Sequence, residues 1–437
     1  MTLRVATPTS FGPERDYALS VVLREFLGLD YRHETEPRED VRVSMNGGGD
    51  LRIADGLFSL PSDEWLPSRP LAKWDVCQDL PEAVVSEPFL PVLFGAGRMD
   101  GQRLGLDVFG GAFFMLTRYE EAISSERDEH GRFPAEASLA VGEGFLHRPL
   151  VNEYAEVLWA ALRRTWPRLE RRERSFRIVP THDVDVPLSL RRPGPRGVLT
   201  ASADLLRRRD PQLAAQRLRW VARGSRDDDP TATFDTLMEL SERRGLRSAF
   251  YFLAGGTNGR DASYSLDDPW FRRLLRRIDE RGHEIGFHGS YETFRDPELT
   301  AGELEALQQA CADEGIAPSA RGGRQHYLRF ENPTTWQIWA DAGLAYDSTL
   351  GFGDRPGFRC GTCFEYPVFN VRTRQVLPLR ERPLVVMERG GLAEGFETIA
   401  RLKAECRRYG GDFVLLWHND WAVGRRGRAG YERALDC

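Results

Sequence analysis

From about residue 176 onward the sequence alternates between short apolar runs and longer amphipathic stretches. Apolar runs of about four to eight residues indicate strands, and apolar residues recurring every three to four positions indicate helices. This alternation predicts an α/β fold, with a parallel sheet or barrel that carries its helices outside. The predicted strands are RIVPT, SAFYFLA at 248–254, HEIGFH at 283–288, ARGGRQHYL at 320–328, LAYDST at 344–349 and FVLLWH at 413–418. The predicted helices are Thr233 to Arg244, Pro269 to Arg281, Ala301 to Glu314 and Thr334 to Ala342.

The first part of the chain has a mixed character that predicts a smaller α/β domain of its own. An amphipathic helix is predicted over Tyr17 to Leu29, followed by short strand-like runs. The charged stretch RLERRERSF places a boundary between about 168 and 175. We therefore predict an accessory domain at 1–172 and a larger domain at 173–437. The histidines of the first domain are predicted to be surface or structural residues: His33, His130 and His147.

An Arg-rich helical insertion interrupts the larger domain at about 191–228. Residues 191 to 226 contain ten Arg and two Asp over an otherwise helical pattern. A solvated helical face is one interpretation of such a run. The other is a surface that attracts phosphate, either of anionic lipid or of a nucleotide-linked substrate.

Charge and hydropathy exclude several classes of function. The formal net charge of the 437-residue chain is -6 at pH 7, whereas a nucleic-acid binder normally shows a basic face. No run approaches the roughly 20 apolar residues that span a bilayer, and the start of the chain lacks the apolar core of a secretory signal. We therefore predict a cytoplasmic protein with no nucleic-acid partner and no transmembrane segment, and we leave open a peripheral contact with anionic lipid.

Polar side chains follow the first predicted strands, at the edge where chemistry gathers in parallel α/β folds. Asp183 and Asp185 are two residues apart, so they share one face of an extended chain, and His182 points the opposite way, toward packing. Two carboxylates this close raise each other's pKa unless a cation lies beside them. A divalent metal held by one would leave the other as a base. His288 ends the strand HEIGFH, where a metal-binding imidazole is expected.

The later strands bring further polar residues to the same edge. Arg324 and His326 are two apart and share a face, and an Arg beside a catalytic Asp would hold it ionised. Asp347 follows a strand and is suited to orient a histidine, whereas His283 lies at a strand start and is predicted to be structural. His418 ends the apolar strand FVLLWH and suits a general acid.

The order of these motifs resembles that of a known family. TxDxD, EIGFH, the Arg motif, an Asp after a strand and LLWH resemble, in this order, the five motifs of the polysaccharide deacetylase (NodB-like) superfamily, the fourth carbohydrate esterase family. The resemblance covers about residues 174–437. The D-x-D form is similar to the branch that includes lipid-linked aminoarabinose deformylases, and the whole chain to uncharacterised bacterial deacetylase-like proteins with an extra amino-terminal domain. The fold implied is a distorted seven-stranded (β/α) barrel.

The resemblance also implies site residues. It assigns Asp183 as general base, Asp185 and His288 as metal ligands, Arg324 as the residue that orients the base, Asp347 as support of the acid, and His418 as general acid.

One position departs from the family pattern. The family places a second metal-binding His four residues after the first, and here that position is Glu292. Either Glu292 binds the metal as a carboxylate or His326 supplies the third ligand. We predict His326, because it shares a face with Arg324 and the family has an apolar Pro there. A weakened site without catalysis is the third outcome.

Together these features predict a metal-dependent amide hydrolase. Its substrate would be an amino sugar carrying an N-acetyl or N-formyl group in a polysaccharide, lipid-linked or nucleotide-linked form. Mixed nitrogen and oxygen ligands favour zinc, with cobalt, nickel and manganese left open. The alternatives are a glycosidase on the same barrel that uses the acidic residues as its pair, and an inactive carbohydrate-binding relative. The oligomeric state is left open.

Overall fold

The protein is described here from a computed structural model, which covers residues 2–46, 48–61, 65, 73–76, 85–189, 195–256, 258–261, 264–317 and 321–437. Within these residues the fold is mixed α/β, with a six-stranded sheet, a nine-stranded sheet and a separate pair of strands. The six-stranded sheet comes from the first 106 residues and the nine-stranded sheet from residues 177–416. This division agrees with the predicted change of character along the chain, and the boundary at 172/173 itself stays a prediction.

The amino-terminal part combines the smaller sheet with five helices. Its strands are β1 (Leu3–Thr7), β2 (Tyr31–Thr35), β3 (Val41–Ser44), β4 (Asp50–Ile53), β5 (Lys73–Val76), β6 (Phe89–Val92), β7 (Gly95–Asp100) and β8 (Arg103–Leu106). Its helices are α1 (Gly12–Leu19), α2 (Val108–Leu116), α3 (Tyr119–Ile123), α4 (Leu139–Gly142) and α5 (Leu150–Thr165). The sheet order is β2-β1-β3-β4-β8-β7, and β5 pairs with β6. The helix predicted from Tyr17 is observed as α1 continued by a π-helix at Ser20–Phe26.

The carboxyl-terminal part carries the larger sheet. Its strands are β9 (Arg177–Val184), β10 (Ala249–Phe252), β11 (Glu284–Gly289), β12 (Gly322–Gln325), β13 (Tyr346–Asp347), β14 (Tyr366–Asn370), β15 (Gln375–Glu381), β16 (Val386–Met387) and β17 (Asp412–Leu416). Its helices are α6 (Pro195–Leu206), α7 (Pro211–Arg223), α8 (Phe234–Glu242), α9 (Pro269–Glu280), α10 (Pro297–Asp313), α11 (Thr334–Asp341), α12 (Glu388–Glu394), α13 (Phe396–Arg408) and α14 (Gly424–Asp436). All six predicted strands and all four predicted helices are observed here, although residue 320 of one predicted strand lies outside the described residues.

The larger sheet is almost entirely parallel. Its order is β14-β15-β13-β12-β11-β10-β9-β17-β16, and only the β14–β15 pair is antiparallel. Nine strands are present where the resemblance implied seven. β15 and β16 are separated by only four residues, and between them the Val385 backbone N–H donates to the Val414 carbonyl on β17. The seven-stranded barrel therefore stays a prediction, and the observed sheet is a curled, half-barrel form.

The helices pack on the sheet by one apolar face each, and α9 illustrates why. Pro269 occupies its first turn and the Asp268 side chain accepts a hydrogen bond from the Trp270 backbone, so the helix start is fixed by the sequence. The buried side chains recur with helical spacing at Trp270, Phe271, Leu274, Leu275 and Ile278. The arginines of this helix lie on the opposite side, which faces solvent.

The two parts of the chain are joined by buried polar contacts as well as by a shared apolar core. The Glu121 carboxylate lies between the guanidinium groups of Arg118, at 2.8 Å, and Arg359, at 2.7 Å, and none of the three side chains is more than 2% exposed. The Asn332 amide donates hydrogen bonds to the backbone carbonyls of Thr117 and Arg118. The amino-terminal part of the chain, which carries β1 to β8 and α1 to α5 and is called the accessory region below, is therefore fixed against the sheet that carries the polar motifs.

Candidate active site

Side chains from the carboxyl ends of β9, β11, β12 and β17 meet at one point. Asp183 lies near the end of β9, and Asp185 follows that strand directly. His288 on β11 is in register with Arg324 on β12. This register requires a close approach of the two strands, since a Cβ at Gly323 would overlap the Phe287 carbonyl. Parallel strands end at the same edge of the sheet, which explains why residues distant in the sequence converge here.

Asp183 is held by a fully buried arginine. Nη1 of Arg324 donates to Oδ1 of Asp183 at 2.8 Å and to the Thr181 hydroxyl at 3.0 Å. The other guanidinium nitrogens donate to the backbone and side-chain oxygens of Ser348 at 2.8 and 3.0 Å. Arg324 reaches Asp183 across two intervening strands, so the sheet must curl. Such a charge-assisted contact favours the ionised carboxylate.

The His288 ring presents one free nitrogen to the site. Its Nδ1 lies 2.8 Å from the backbone carbonyl of Arg324, which can only accept, so Nδ1 carries the proton. The other nitrogen, Nε2, faces the site and lies 3.1 Å from Oδ1 of Asp185 and 3.8 Å from Oδ2 of Asp183. This arrangement of an imidazole fixed through Nδ1 is usual for a metal ligand.

His326 is arranged in the same way. Its Nδ1 lies 3.0 Å from a carboxylate oxygen of Asp261, and its Nε2 lies 3.6 Å from Oδ2 of Asp185. Burial alone would lower the pKa of His326, but the two carboxylates outweigh it and raise the pKa to about 9. The protonated form of His326 is therefore stabilised by the carboxylates of Asp261 and Asp185. A metal cation could replace the proton at this position.

His418 is the third imidazole that contacts Asp185. Its Nε2 lies 3.3 Å from Oδ2 of Asp185, and its Nδ1 lies 2.7 Å from Oε1 of Glu388, a buried residue at the start of α12. Burial would lower the pKa of His418, but the charges of Glu388 and Asp185 raise it well above its usual value. The imidazole is therefore protonated at neutral pH, as a general acid must be.

Three of these residues form a group that could hold a metal ion. Asp185, His288 and His326 each offer one ligand atom, and these atoms lie within 4.8 Å of one another. Two of the atoms that face the centre of the group, Oδ1 of Asp185 and Nε2 of His288, are buried without a hydrogen-bond partner. Burying such atoms unpaired is costly, and a cation between them would remove that cost. One carboxylate and two imidazoles suit zinc and several other divalent ions.

The charge on Asp185 agrees with this role. Burial works to raise the pKa of Asp185, and the imidazoles of His288, His326 and His418 outweigh it, so the pKa lies well below its usual value. A carboxylate that stays ionised is the form that binds a cation.

Asp347 does not contact the predicted acid. Its Oδ1 accepts hydrogen bonds from the backbone and hydroxyl of Thr349, at 2.9 and 2.5 Å, and it lies buried beneath the site. Burial raises the pKa of Asp347 to about 6. The carboxylate beside His418 is that of Glu388, and the described residues show no contact between Asp347 and His418, so the role of Asp347 as support of the acid stays a prediction. A strand-end aspartate suggested the contact, but the side chain turns back to its own loop.

Glu292 points away from the ion group. One carboxylate oxygen lies 3.2 Å from Arg329 and 3.7 Å from Arg295, and the side chain is 37% exposed. Of the two candidates that the sequence left open for the third ligand, Glu292 and His326, the geometry therefore supports His326.

The histidines predicted to be structural lie away from the ion group. His182 is fully buried, its Nδ1 lies 2.6 Å from the Trp417 carbonyl, and burial lowers its pKa to about 3. His283 lies at the start of β11, accepts from the Ser248 backbone and contacts Glu242.

The site opens into a cleft of about 1310 Å³. One wall comes from the larger sheet and its loops, and another comes from residues 128–136 of the accessory region. His130 in this wall bonds to the Tyr291 hydroxyl and packs against Tyr327, and Arg132 donates to the Tyr327 carbonyl. His130 is thus a structural residue, as predicted, at the edge of the cleft. Sequence reasoning did not identify the following residues at the site: Glu388, Asp261, Tyr327 and Trp421.

Comparisons with known proteins give the following likenesses. Residues 3–167 match the model of a family of unknown function, DUF7033. No curated protein matches the chain. Among solved structures, the chain is similar to a polysaccharide deacetylase from Mycobacterium smegmatis, with 20% identity and a TM-score of 0.37, over 60% of this chain and 83% of that one. It is similar to the family 4 carbohydrate esterase from Streptomyces lividans in complex with acetate, with 14% identity and a TM-score of 0.26, over 46% and 79%. It is also similar to PuuE allantoinase, with 15% identity and a TM-score of 0.33, over 60% and 83%.

Proposed function

We propose that this chain is a metal-dependent hydrolase that removes an acetyl or formyl group from the nitrogen of an amino sugar. One observation carries the proposal. Three imidazoles, each fixed through Nδ1 by an acceptor, turn Nε2 toward Asp185, beside a second carboxylate, Asp183, that accepts a hydrogen bond from a buried arginine. The order of the sequence motifs points to the same chemistry.

The ion would be held by Asp185, His288 and His326. A divalent metal at this position would lower the pKa of a water molecule and polarise the acyl carbonyl. Each of the two imidazoles has its own acceptor, the Arg324 carbonyl and the Asp261 carboxylate, and such partners fix the tautomer and the direction of the ligand atom.

Asp183 is the proposed general base. Arg324 holds one of its oxygens, and the other lies 3.8 Å from Nε2 of His288, so it faces the ion group. From that position it can accept the proton of an attacking water molecule. The arginine holds this carboxylate in place through a charge-assisted hydrogen bond.

His418 is the proposed general acid. It contacts Oδ2 of Asp185, and its side chain is 16% exposed, so it reaches the cleft. An amine leaves an amide poorly unless its nitrogen receives a proton, which His418 can donate. Glu388 fixes the ring through Nδ1 and stabilises its charged form.

The cleft suits a sugar substrate. Two exposed aromatic side chains border the ion group along the chain: Tyr327 directly follows His326, and Trp421 follows His418 by three residues. Aromatic rings of this kind can pack against the apolar faces of sugar rings, and the polar walls supply hydrogen bonds to hydroxyl groups.

The geometry supports an amide hydrolase better than a glycosidase. A glycosidase needs one carboxylic acid that carries a proton and one carboxylate. Asp185 is surrounded by imidazoles that hold its pKa well below the usual value, so it does not suit the protonated acid of such a pair.

The test is the release of acid and amine from a panel of N-acetyl and N-formyl amino sugars, free and nucleotide- or lipid-linked, with zinc supplied. We expect acetate or formate in equal amount to a new primary amine, and loss of that product in Asp183→Asn. Release of a reducing sugar without acid would favour the glycosidase. A folded, ion-loaded protein that releases neither product would favour the inactive relative.

A further inference from the structure

The Arg-rich insertion forms a helical hairpin that exposes apolar side chains. Helices α6 and α7 run side by side, and five of the nine large hydrophobic side chains exposed by the described residues lie on them. Leu199 is 72% exposed and Leu206 is 76% exposed. We call the exposed set on α6 the apolar stripe: Val198, Leu199, Leu205 and Leu206.

The apolar stripe occupies one side of its helix. At 3.6 residues per turn its four positions fall within roughly 120° of the helix surface, and the exposed Ser202 lies between them. The buried residues Ala201 and Asp204 lie outside this arc. An apolar arc of this width normally faces a protein core, whereas here the helix is docked by its other side. Exposed apolar patches of this kind mark interaction sites.

The surface around the apolar stripe is basic. The two acids of the hairpin are both buried: Asp204 pairs with Arg208 and Arg217, and Asp210 accepts from the backbone at the start of α7. Arg207 and Arg209 follow the apolar stripe directly, and both are exposed. Neither side chain has an ion pair among the described residues. The exposed surface at the carboxyl end of α6 therefore combines leucines with arginines.

The hairpin stands on the same side of the sheet as the cleft. It follows the carboxyl end of β9, and its base is tied by hydrogen bonds from the backbone and hydroxyl of Ser189 to Asp229, at 2.9 and 2.7 Å. Ser189 and the nearby Arg226 both line the cleft. The base of the hairpin is therefore next to the cleft.

We propose that the hairpin is a membrane-contact surface that binds the face of an anionic lipid bilayer. The apolar stripe enters the boundary between headgroups and acyl chains, and the arginines lie against lipid phosphates. Charge complementarity selects this occupant. A second copy of the chain would bring the same arginines against one another, and like charges repel.

The test is sedimentation of the full chain with vesicles, at low and at physiological salt. One set contains equimolar phosphatidylglycerol and phosphatidylcholine, and the other phosphatidylcholine alone. We expect binding to the anionic vesicles that weakens with salt. The double variant Leu199→Ser, Leu206→Ser should weaken it by about tenfold or more. The double variant Arg207→Gln, Arg209→Gln should weaken binding to anionic vesicles only, by about fivefold per arginine.

The matched control is Val376→Ser, which removes another apolar side chain of similar exposure, 54%, from β15. All the changed residues are exposed, and circular dichroism checks that each variant is folded. Absence of enrichment on anionic vesicles would overturn the proposal, as would an equal loss in Val376→Ser. If sedimentation velocity shows a dimer, and the leucine double variant is a monomer, the apolar stripe binds a second copy of the chain instead. Vesicle binding needs no turnover, so its failure leaves the proposed hydrolase activity untouched.

Discussion

Replacing His326 by alanine tests which side chain completes the ion site. Nε2 of His326 belongs to the group whose ligand atoms lie within 4.8 Å of one another, whereas Glu292 is engaged with Arg329 and Arg295. Zinc sites in small peptides bind with about 10–16 kcal/mol. Shared over four ligands, this amounts to about 2.5–4 kcal/mol each, or about two to three orders of magnitude in Kd. His326→Ala should weaken zinc binding by that factor.

A second variant should lower zinc affinity by a smaller factor. Asp261 accepts from Nδ1 of His326 and from the Tyr291 backbone, so Asp261→Asn keeps the ligand but loosens its orientation and removes a charge. Changes to such partners typically cost about 10- to 100-fold in metal affinity. Glu292→Ala is the matched control and should change the Kd by less than about twofold, since its carboxylate does not face the ion group.

The assay is competition for zinc against a fluorescent chelator at neutral pH, with circular dichroism to confirm the fold. The expected order of affinity is wild type and Glu292→Ala together, then Asp261→Asn, then His326→Ala. A large loss in Glu292→Ala, with His326→Ala close to wild type, would refute the assignment and move the third ligand to Glu292.

Three further predictions address the base, the acid and the contact between the two parts of the chain. Asp183→Asn should lower kcat by about 10²-fold or more while zinc affinity stays within a few fold, and equal turnover would exclude it as the base. Glu388→Gln removes a charge that raises the pKa of His418, so the alkaline limb of the pH–rate profile should move to lower pH by about 1–3 pH units. An alkaline limb that does not move would contradict the pairing of Glu388 with His418. Glu121→Ala leaves the buried guanidinium group of Arg359 without a carboxylate, whereas Arg118 keeps Glu120, and urea unfolding should show a loss of about 3–5 kcal/mol. A loss below about 1 kcal/mol would mean that water replaces the contact.

The strands that carry the site residues could be predicted because each apolar run is followed directly by a polar residue. An apolar run followed by a polar residue, as in EIGFH and LLWH, marks the carboxyl end of a buried strand. Parallel strands then bring these ends together without any further information. For this reason Asp183, Asp185, His288, Arg324 and His418 are found side by side, as the motif order predicted.

The strands of residues 366–387 were missed, and their sequence explains why. β14 contains Pro367 and β15 contains Pro378, and a proline weakens any strand prediction because it cannot donate to the ladder. β16 is only two residues long and leads directly into α12, whose first residue is Glu388. The partner of His418 thus sits in a segment without a periodic pattern, and the more obvious strand-end acid, Asp347, was chosen instead.

Tertiary contacts account for the other omissions. Asp261 lies in a loop, and only the folding of that loop over β12 brings it to His326. His130 lies far from the motifs in sequence, and it reaches the cleft because buried contacts such as Glu121–Arg359 fix the accessory region in place. No local spacing in the sequence encodes either contact.

Anomalous diffraction from crystals grown with zinc tests the central claim most directly. The account predicts a single strong peak bound by Oδ1 or Oδ2 of Asp185 and by Nε2 of His288 and His326, with Zn–N distances of about 2.0–2.1 Å. An ion bound elsewhere, or a fully folded protein with no peak at this group in saturating zinc, would contradict it.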